Sequence, residues 1–383
     1  MAALLAAFAL PPAAAHAQGL AALPGWAQED HVAALRAVQG ACAVRHGPDL
    51  AEVCQQAAAL DLLDEPGAEA FLESHFRAVP AGMDGRLTGY FMPVYEASPV
   101  PFGDFTAPVR PAPPDPPHAD RAAIEARPAP GALAWMRPED LFFMQVQGSG
   151  VLTFSDGTRR KAVYAGDNGA PFVGIAAPMR ARGLLGDAET SGETIHAWLA
   201  AHRGEEAAAI MRLDPRYVFF SLAPDDGADP FGAAGARLIA GRSVAVDPAW
   251  HAMGELLWLD AAAPALSGAF PAYRRLAVAL DTGGAIKGPV RADLYLGRGE
   301  AAGAEAGRVR HALALWRLVP IPSPLAGEGG PAEQGRMRGR ETLVTIPATQ
   351  TPTASVTPHP SGSRPTPSPA RGEGTASSGP LAP

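Results

Sequence analysis

The hydrophobic positions of this chain change period several times, and each change marks a new kind of element. From residue 28 to 78 they recur at three- and four-residue intervals, in "HVAALRAVQGACAVRHG", "DLAEVCQQAAALDLL" and "AEAFLESHF". That spacing predicts a run of amphipathic helices, with Asp49 as the N-cap of the second. Residues 99–131 then hold ten prolines and almost no periodicity, the pattern of a surface excursion rather than of a core strand. From Asp140 short apolar runs take over: "LFFMQVQGSG" and "VLTFSDGTRRKAVYAG" predict strands, the latter a hairpin turning at Asp156-Gly157. "ETIHAWLAAHRGEEAAAIMRL" returns to helical spacing. After it come "RYVFFSL", "GARLIAGRSVAVD", "GELLWLD", "RRLAVALDTGGAIKG", "VRADLYLG" and "ALALWRLVP", short β-rich segments punctuated by glycine, as in a compact barrel.

The two ends differ from this middle. Residues 1–17, "MAALLAAFALPPAAAHA", are apolar but short for a bilayer span and end in small residues, which predicts a secretory signal cleaved before Gln18. No Lys or Arg precedes Arg36, so the usual basic start is missing, and no cysteine follows closely enough to carry a lipid. Residues 321–383 hold twelve prolines and no Phe, Trp or Tyr, too little apolar surface to offset ordering, and are expected to be disordered.

Composition narrows the classes. At 383 residues and 47% hydrophobic content the chain can bury a large core in two or three domains. A net charge of -8 with scattered basic residues argues against nucleic acid as partner. The two cysteines, Cys42 and Cys54, cannot by themselves build a zinc site; they form either a disulfide or two buried thiols. Phosphate loops, GxSxG elbows, HExxH and CxxC motifs are all absent.

What remains as candidate chemistry is a set of acids. Asp247, Asp281 and Asp293 each end a β-rich apolar run, "SVAVD", "LAVALD" and "VRAD", and strand ends of one small barrel can converge on one cleft. A cleft that desolvates one carboxyl, or sets it near another, raises its pKa and keeps it protonated, as a general acid requires. The competing expectation is that these acids cap turns or pair with Arg242, Arg291 or Lys287. Lys287 is one of only two lysines in the chain and stands between Asp281 and Asp293, where an ammonium could meet a carboxylate or a substrate. Gly283 and Gly284 would let a polymer approach the backbone closely.

In chain order, "LTGYFMPVYEAS", "FFMQVQGSG", "DGTRRKAVYAGDNGAPF", "DPRYVFF", "GRSVAVDP", "LDTGGAIKGPVRADLYLGRGEAAGAEAG" and "WRLVP" resemble the membrane-bound lytic murein transglycosylase A family over about residues 80–320. The resemblance implies a mainly β fold with flanking helices: a double-psi β-barrel domain from 18–96 and 201–320, and a smaller β-barrel domain inserted at 97–200. It also implies a domain named for three aspartates, falling on Asp247, Asp281 and Asp293, with Asp293 at the catalytic position. The implied reaction is cleavage of the β-1,4 bond from N-acetylmuramic acid to N-acetylglucosamine in peptidoglycan without water, closing a 1,6-anhydro ring. One Asp would act as acid and then as base, with no metal and no cofactor. Glycan strands would be the partner, contacted by Thr88, Gly89, Tyr90, Gln145, Gln147, Ser149, Asn168, Gly283, Gly284 and Lys287. The location implied is the periplasm, with possible outer-membrane association. Two other expectations stand beside it: a glycan hydrolase using Asp281 and Asp293 as a true pair, and a non-catalytic cell-wall binding module.

Overall fold

A computed structural model describes residues 17–44, 48–60, 64–115, 118–186 and 190–322. The expected signal segment up to residue 16 and the expected tail from residue 323 lie outside the described residues. The described residues start with a short strand β1 (Gln18–Gly19), followed by the helices α1 (His31–Ala41), α2 (Pro48–Ala58) and α3 (Glu65–His75). Asp30 and Asp64 cap α1 and α3, accepting from Ala33 N–H and Gly67 N–H at 2.8 and 3.0 Å. The second helix spans Pro48–Ala58, and the expected cap, Asp49, lies outside the residues whose side chains are described. Cys42 and Cys54 are joined in a disulfide that ties α2 to the end of α1, a closure worth about 2–4 kcal/mol.

Strand β2 (Phe76–Met92) then leads into a second region: β3 (Val94–Glu96), β4 (Ala107–Val109), α4 (Arg121–Glu125), β5 (Ala134–Met136), α5 (Pro138–Gln147), β6 (Gly150–Thr153), β7 (Arg159–Asp167), α6 (Ala176–Ala181), α7 (Gly192–Ala201), α8 (Glu205–Met211) and β8 (Val218–Pro224). The chain returns through β9 (Ser243–Val246), β10 (Leu256–Pro264), β11 (Ala272–Thr282), β12 (Arg291–Arg298), α9 (Gly299–Ala306) and β13 (Arg310–Pro320).

Six strands close a barrel in the order β2, β12, β9, β11, β10, β13 and back to β2. The closure depends on the length of β2: its first part pairs with β13 and its last part with β12. Two parallel pairs, β2 with β12 and β9 with β11, flank the antiparallel pair β9 with β12, the arrangement of a double-psi barrel. Alternation along each strand sends Leu87, Val244, Val246, Leu257, Ala279 and Leu294 into the barrel interior. The opposite face carries Tyr90, Ala245, Trp258, Val278 and Tyr295, covered in part by α1 and its neighbours.

The inserted region makes its own small ring. A four-stranded sheet runs β3, β6, β7, β8, and the ribbon of β4 and β5 closes it. Ser98 and Trp135 exchange two 2.8 Å backbone bonds at one end, and Phe220 N–H donates to Arg110 O at 3.0 Å at the other. The mainly β, two-barrel fold class is therefore the one observed. The insertion is larger than 97–200: Val94–Glu96 and Val218–Pro224 are strands of this second ring, so "RYVFFSL" does not belong to the main barrel.

Two other expectations are corrected here. "LFFMQVQ" is the body of helix α5, not a strand. Pro138 sits in the first turn with Glu139 and Asp140, which suit a helix N-terminus, and Gly148 stops the helix in the left-handed region at φ 83°. The proline-rich stretch is not all surface: Val109 of β4 is fully buried in the insertion's core beside Met136 and Phe220. The turn at Asp156-Gly157 forms as expected, with Gly157 at φ 82° and Thr158 N–H donating to the Asp156 carboxylate at 2.8 Å.

Candidate active site on the barrel face

Four adjacent strands bring the key residues to one level. Asp293 of β12 lies opposite Thr88 of β2 on one side and Ala245 of β9 on the other, and Asp281 of β11 lies opposite Ala245. Two strand spacings separate the backbones of the two aspartates, about 10 Å, with only the Ala245 methyl between them.

Asp281 reaches this face through an irregularity. Ala279 points into the barrel, so plain alternation would send Asp281 inward as well. The register between β11 and β9 slips by one residue at Leu280, and this bulge turns Asp281 to the side of Ala245. Three donors then hold it: Tyr90 O–H at 2.8 Å to Oδ2, and Ala233 N–H and Thr282 N–H at 3.0 and 2.9 Å to Oδ1. Burial raises the Asp281 pKa above its ordinary value, and these three donors oppose that rise. The Tyr90 phenol, itself pushed well up by burial and by the negative Asp281, stays a donor.

Asp293 is held by a different chain. Its Oδ1 accepts from the Thr88 hydroxyl, whose oxygen accepts from Arg291 Nη2 at 2.8 Å. Among the described residues no hydrogen bond reaches Oδ2. Burial is the largest influence on Asp293 and raises its pKa; Thr88 and Arg291 oppose this, and the Asp281 charge adds to it. Burial thus raises both carboxyls, and what separates them is hydrogen bonding: three donors fall on Asp281 and one on Asp293.

Asp247 does not join this pair. It accepts from Gly288 N–H at 2.8 Å and Ala249 N–H at 3.2 Å, and these bonds hold its pKa below the ordinary value. Its place is to clamp the loop that delivers β12. His251 grips the same loop, with its ring nitrogens 2.8 Å from Pro289 O and from Glu255. Lys287 approaches Asp247 at 3.9 Å and is 65% exposed, an ion pair worth little. A group with a depressed folded-state pKa stabilises the fold above its unfolded pKa and loses that contribution as pH falls through the folded value. Wild type is therefore expected to melt above Asp247→Asn at neutral pH, with the gap closing in acid, as followed by thermal denaturation across pH.

Three expected glycan contacts are occupied elsewhere. Gln145 is buried, accepting from Arg121 Nη1 at 2.6 Å and donating to Val218 O at 3.1 Å. Asn168 is buried too; its amide donates to Ala119 O and Pro215 O and its oxygen accepts from Tyr217 N–H. Both brace the insertion because burial obliges every polar atom to find a protein partner. Gly89 has no room for a sugar: a Cβ there would lie 2.9 Å from Leu296 and 3.0 Å from the Ala306 Cα of α9. Gln147 remains near the site, its oxygen accepting from Phe91 N–H at 3.1 Å and tying α5 to the strand that carries Tyr90. Ser149 lies half-buried just beyond it. Gly283 packs on Ile286, and a Cβ on Gly284 would touch Phe172 and Arg216, where the barrel loop meets the insertion. Arg291 was reachable from sequence only as one of three possible ion-pair partners. Its place two residues before Asp293, on the same face of β12, is the signal that singles it out.

Fold and site together define a two-domain double-psi barrel protein with an aspartate pair on the barrel face. The family profile described as "MltA specific insert domain" matches residues 86–221, and that described as "3D domain" matches residues 242–319. Membrane-bound lytic murein transglycosylase A of Escherichia coli strain K12 is 33% identical over 250 residues, covering 62% of this chain and 66% of that protein. The crystal structure of a membrane-bound lytic murein transglycosylase from Agrobacterium tumefaciens is 30% identical, with a TM-score of 0.69, covering 79% of this chain and 97% of that one. The structure of E. coli MltA with bound chitohexaose is 28% identical, with a TM-score of 0.64, covering 81% and 92%. The chain belongs to the membrane-bound lytic murein transglycosylase A family. It spans about two thirds of the length of the curated relatives it matches.

Proposed function

We propose that this protein is a peptidoglycan lytic transglycosylase, acting on the bond from N-acetylmuramic acid to N-acetylglucosamine and leaving a 1,6-anhydromuramyl end. The observation that carries the reading is the asymmetry of the pair. Burial raises both carboxyls, but Asp281 has both oxygens engaged by three donors, while Asp293 has a single donor on Oδ1 and an Oδ2 without a protein partner among the described residues. The bound chitohexaose of the E. coli relative supports a β-1,4 glycan as ligand class.

In the proposed reaction Asp293 Oδ2–H protonates the glycosidic oxygen as the bond to the muramyl C1 breaks. Positive charge develops at C1 and O5, and the Asp281 carboxylate stabilises it electrostatically. Asp293, now a carboxylate, takes the proton of the C6 hydroxyl, and O6 attacks C1. The proton count balances with no water consumed. The commitment of Asp281 to three donors leaves it poorly suited to activate a water, which favours this course over two-carboxylate hydrolysis.

Tyr90, Thr88, Gln147, Ser149, Gly283, Gly284 and Lys287 remain proposed neighbours of the glycan; Thr88 and Tyr90 serve the acids first. A glycan substrate of this kind is met in the periplasm, and no helix among the described residues is long and apolar enough to cross a membrane. The test is a reducing-end assay on sacculi incubated with the full chain. Soluble glycan without new reducing ends is the expected outcome; one reducing end per bond cut would establish hydrolysis, and bound but uncut glycan would establish a binding module.

A further inference from the structure

We infer that Arg291 is a positioning residue that, through Thr88, fixes the proton of Asp293 on Oδ2, the oxygen presented to the glycosidic bond. The inference rests on Asp293 being the acid of the proposed cleavage. Its basis is a hydrogen-bond chain with only one direction available. A guanidinium donates and never accepts, and a threonine hydroxyl has a single hydrogen. Arg291 is fixed in place by two backbone carbonyls, donating through Nη1 to Ala292 O at 2.6 Å and to Arg86 O at 3.3 Å. Its Nη2 donates to Thr88 Oγ1, so the Thr88 hydrogen is turned away from Arg291. The remaining hydrogen-bond partner of that hydroxyl is Asp293 Oδ1. With Oδ1 receiving a hydrogen, a protonated Asp293 carries its own on Oδ2.

Strand register makes the relay possible. In the parallel pairing of β12 with β2, Arg291 lies opposite Arg86 and Asp293 opposite Thr88, so acid, hydroxyl and guanidinium share one face. The charged and titratable groups around Asp293 are Arg291 on its own strand, Tyr90 on β2 and Asp281 on β11, while β9 offers only Ala245; Arg86 in turn faces Arg291. Without Arg291 the Thr88 hydroxyl is free to rotate and accept a proton from Oδ1, which withdraws part of the acid from its productive form.

The test uses the full chain with Arg291→Met, Arg291→Lys, Thr88→Val and the Arg291→Met/Thr88→Val pair. Arg291→Met is expected to lower kcat on the order of 10- to 100-fold with little change in KM, since only the aim of the acid is altered. Loss of the positive charge raises the Asp293 pKa, so the alkaline limb of the kcat profile moves to higher pH. Arg291→Lys, which keeps a charged donor, is expected to restore most of the rate. The double variant is expected to be no slower than Thr88→Val alone, because the two residues act in series. A merely structural arginine would give additive losses and an unmoved pH profile, and either result would overturn the inference.

A second readout does not depend on turnover. Carboxyl carbon NMR of Asp-labelled protein, with the Asp293 signal assigned by its loss in Asp293→Asn, is expected to show Asp293 titrating at higher pH in both Arg291→Met and Thr88→Val than in wild type. Unshifted titration sinks the relay even if sacculi are cleaved. Shifted titration in a protein that cuts no glycan would retain the relay and remove the transglycosylase reading instead.

Discussion

Asp293→Asn is expected to reduce cleavage of sacculi by about 10²–10⁴-fold, the range a positioned general acid contributes, while leaving the barrel folded. The amide can still accept from Thr88, so the geometry of the face is kept and the lost element is the transferable proton. The same substitution is expected to stabilise the protein at neutral pH. An acid whose folded-state pKa is raised binds its proton more tightly in the native state, so the fold loses stability as pH climbs from the unfolded value towards the folded one. The neutral amide does not carry that penalty. Thermal melts of wild type and variant should lie close together in acid and separate with rising pH, the variant melting higher. Activity lost together with stability would mean that Asp293 serves the fold instead.

Asp281→Asn is expected to cost about 10²–10³-fold, by analogy with removing one charge-stabilising group from a desolvated site. Its second consequence has a definite sign. The Asp281 charge raises the Asp293 pKa, so its removal lowers that pKa and the alkaline limb of the rate profile moves to lower pH. This shift is opposite to the one expected for Arg291→Met, although both substitutions slow the reaction. Tyr90→Phe, which removes one of the three donors on Asp281, should give a smaller loss than Asp281→Asn itself. Rate profiles for the three variants against pH check the assignment. An unmoved limb in Asp281→Asn would detach that residue from the acid.

The barrel was visible in the sequence because its strands alternate and end in acids, and the three aspartates drew attention for the same reason. Their division of labour was not visible. Asp281 faces the site because the register slips at Leu280, and a one-residue bulge leaves no mark in a hydrophobic pattern. Asp247 stands at a strand end like the others, but Ala249 N–H just after it and Gly288 N–H from a distant loop claim it, and the second of these is a long-range contact that spacing cannot express. Gln145 and Asn168 looked like sugar ligands by residue type; what decides their role is burial, which only the packed insertion defines. Helix α5 differs, since Pro138, the acids after it and Gly148 are helix signals present in the chain, set against an apolar run that suits either element. The alternation of "RYVFFSL" marks a strand but not its barrel, because both barrels use the same alternation and only pairing with β7 tells them apart.

The central claim is that one aspartate, Asp293, cleaves the glycan without water. Mass spectrometry of the soluble products from sacculi treated with wild type and with Asp293→Asn tests it most directly. Muropeptides one water lighter than hydrolytic products, released by wild type and absent with the variant, are the predicted result. Products carrying the added water, or anhydro products from the variant in wild-type yield, would contradict it.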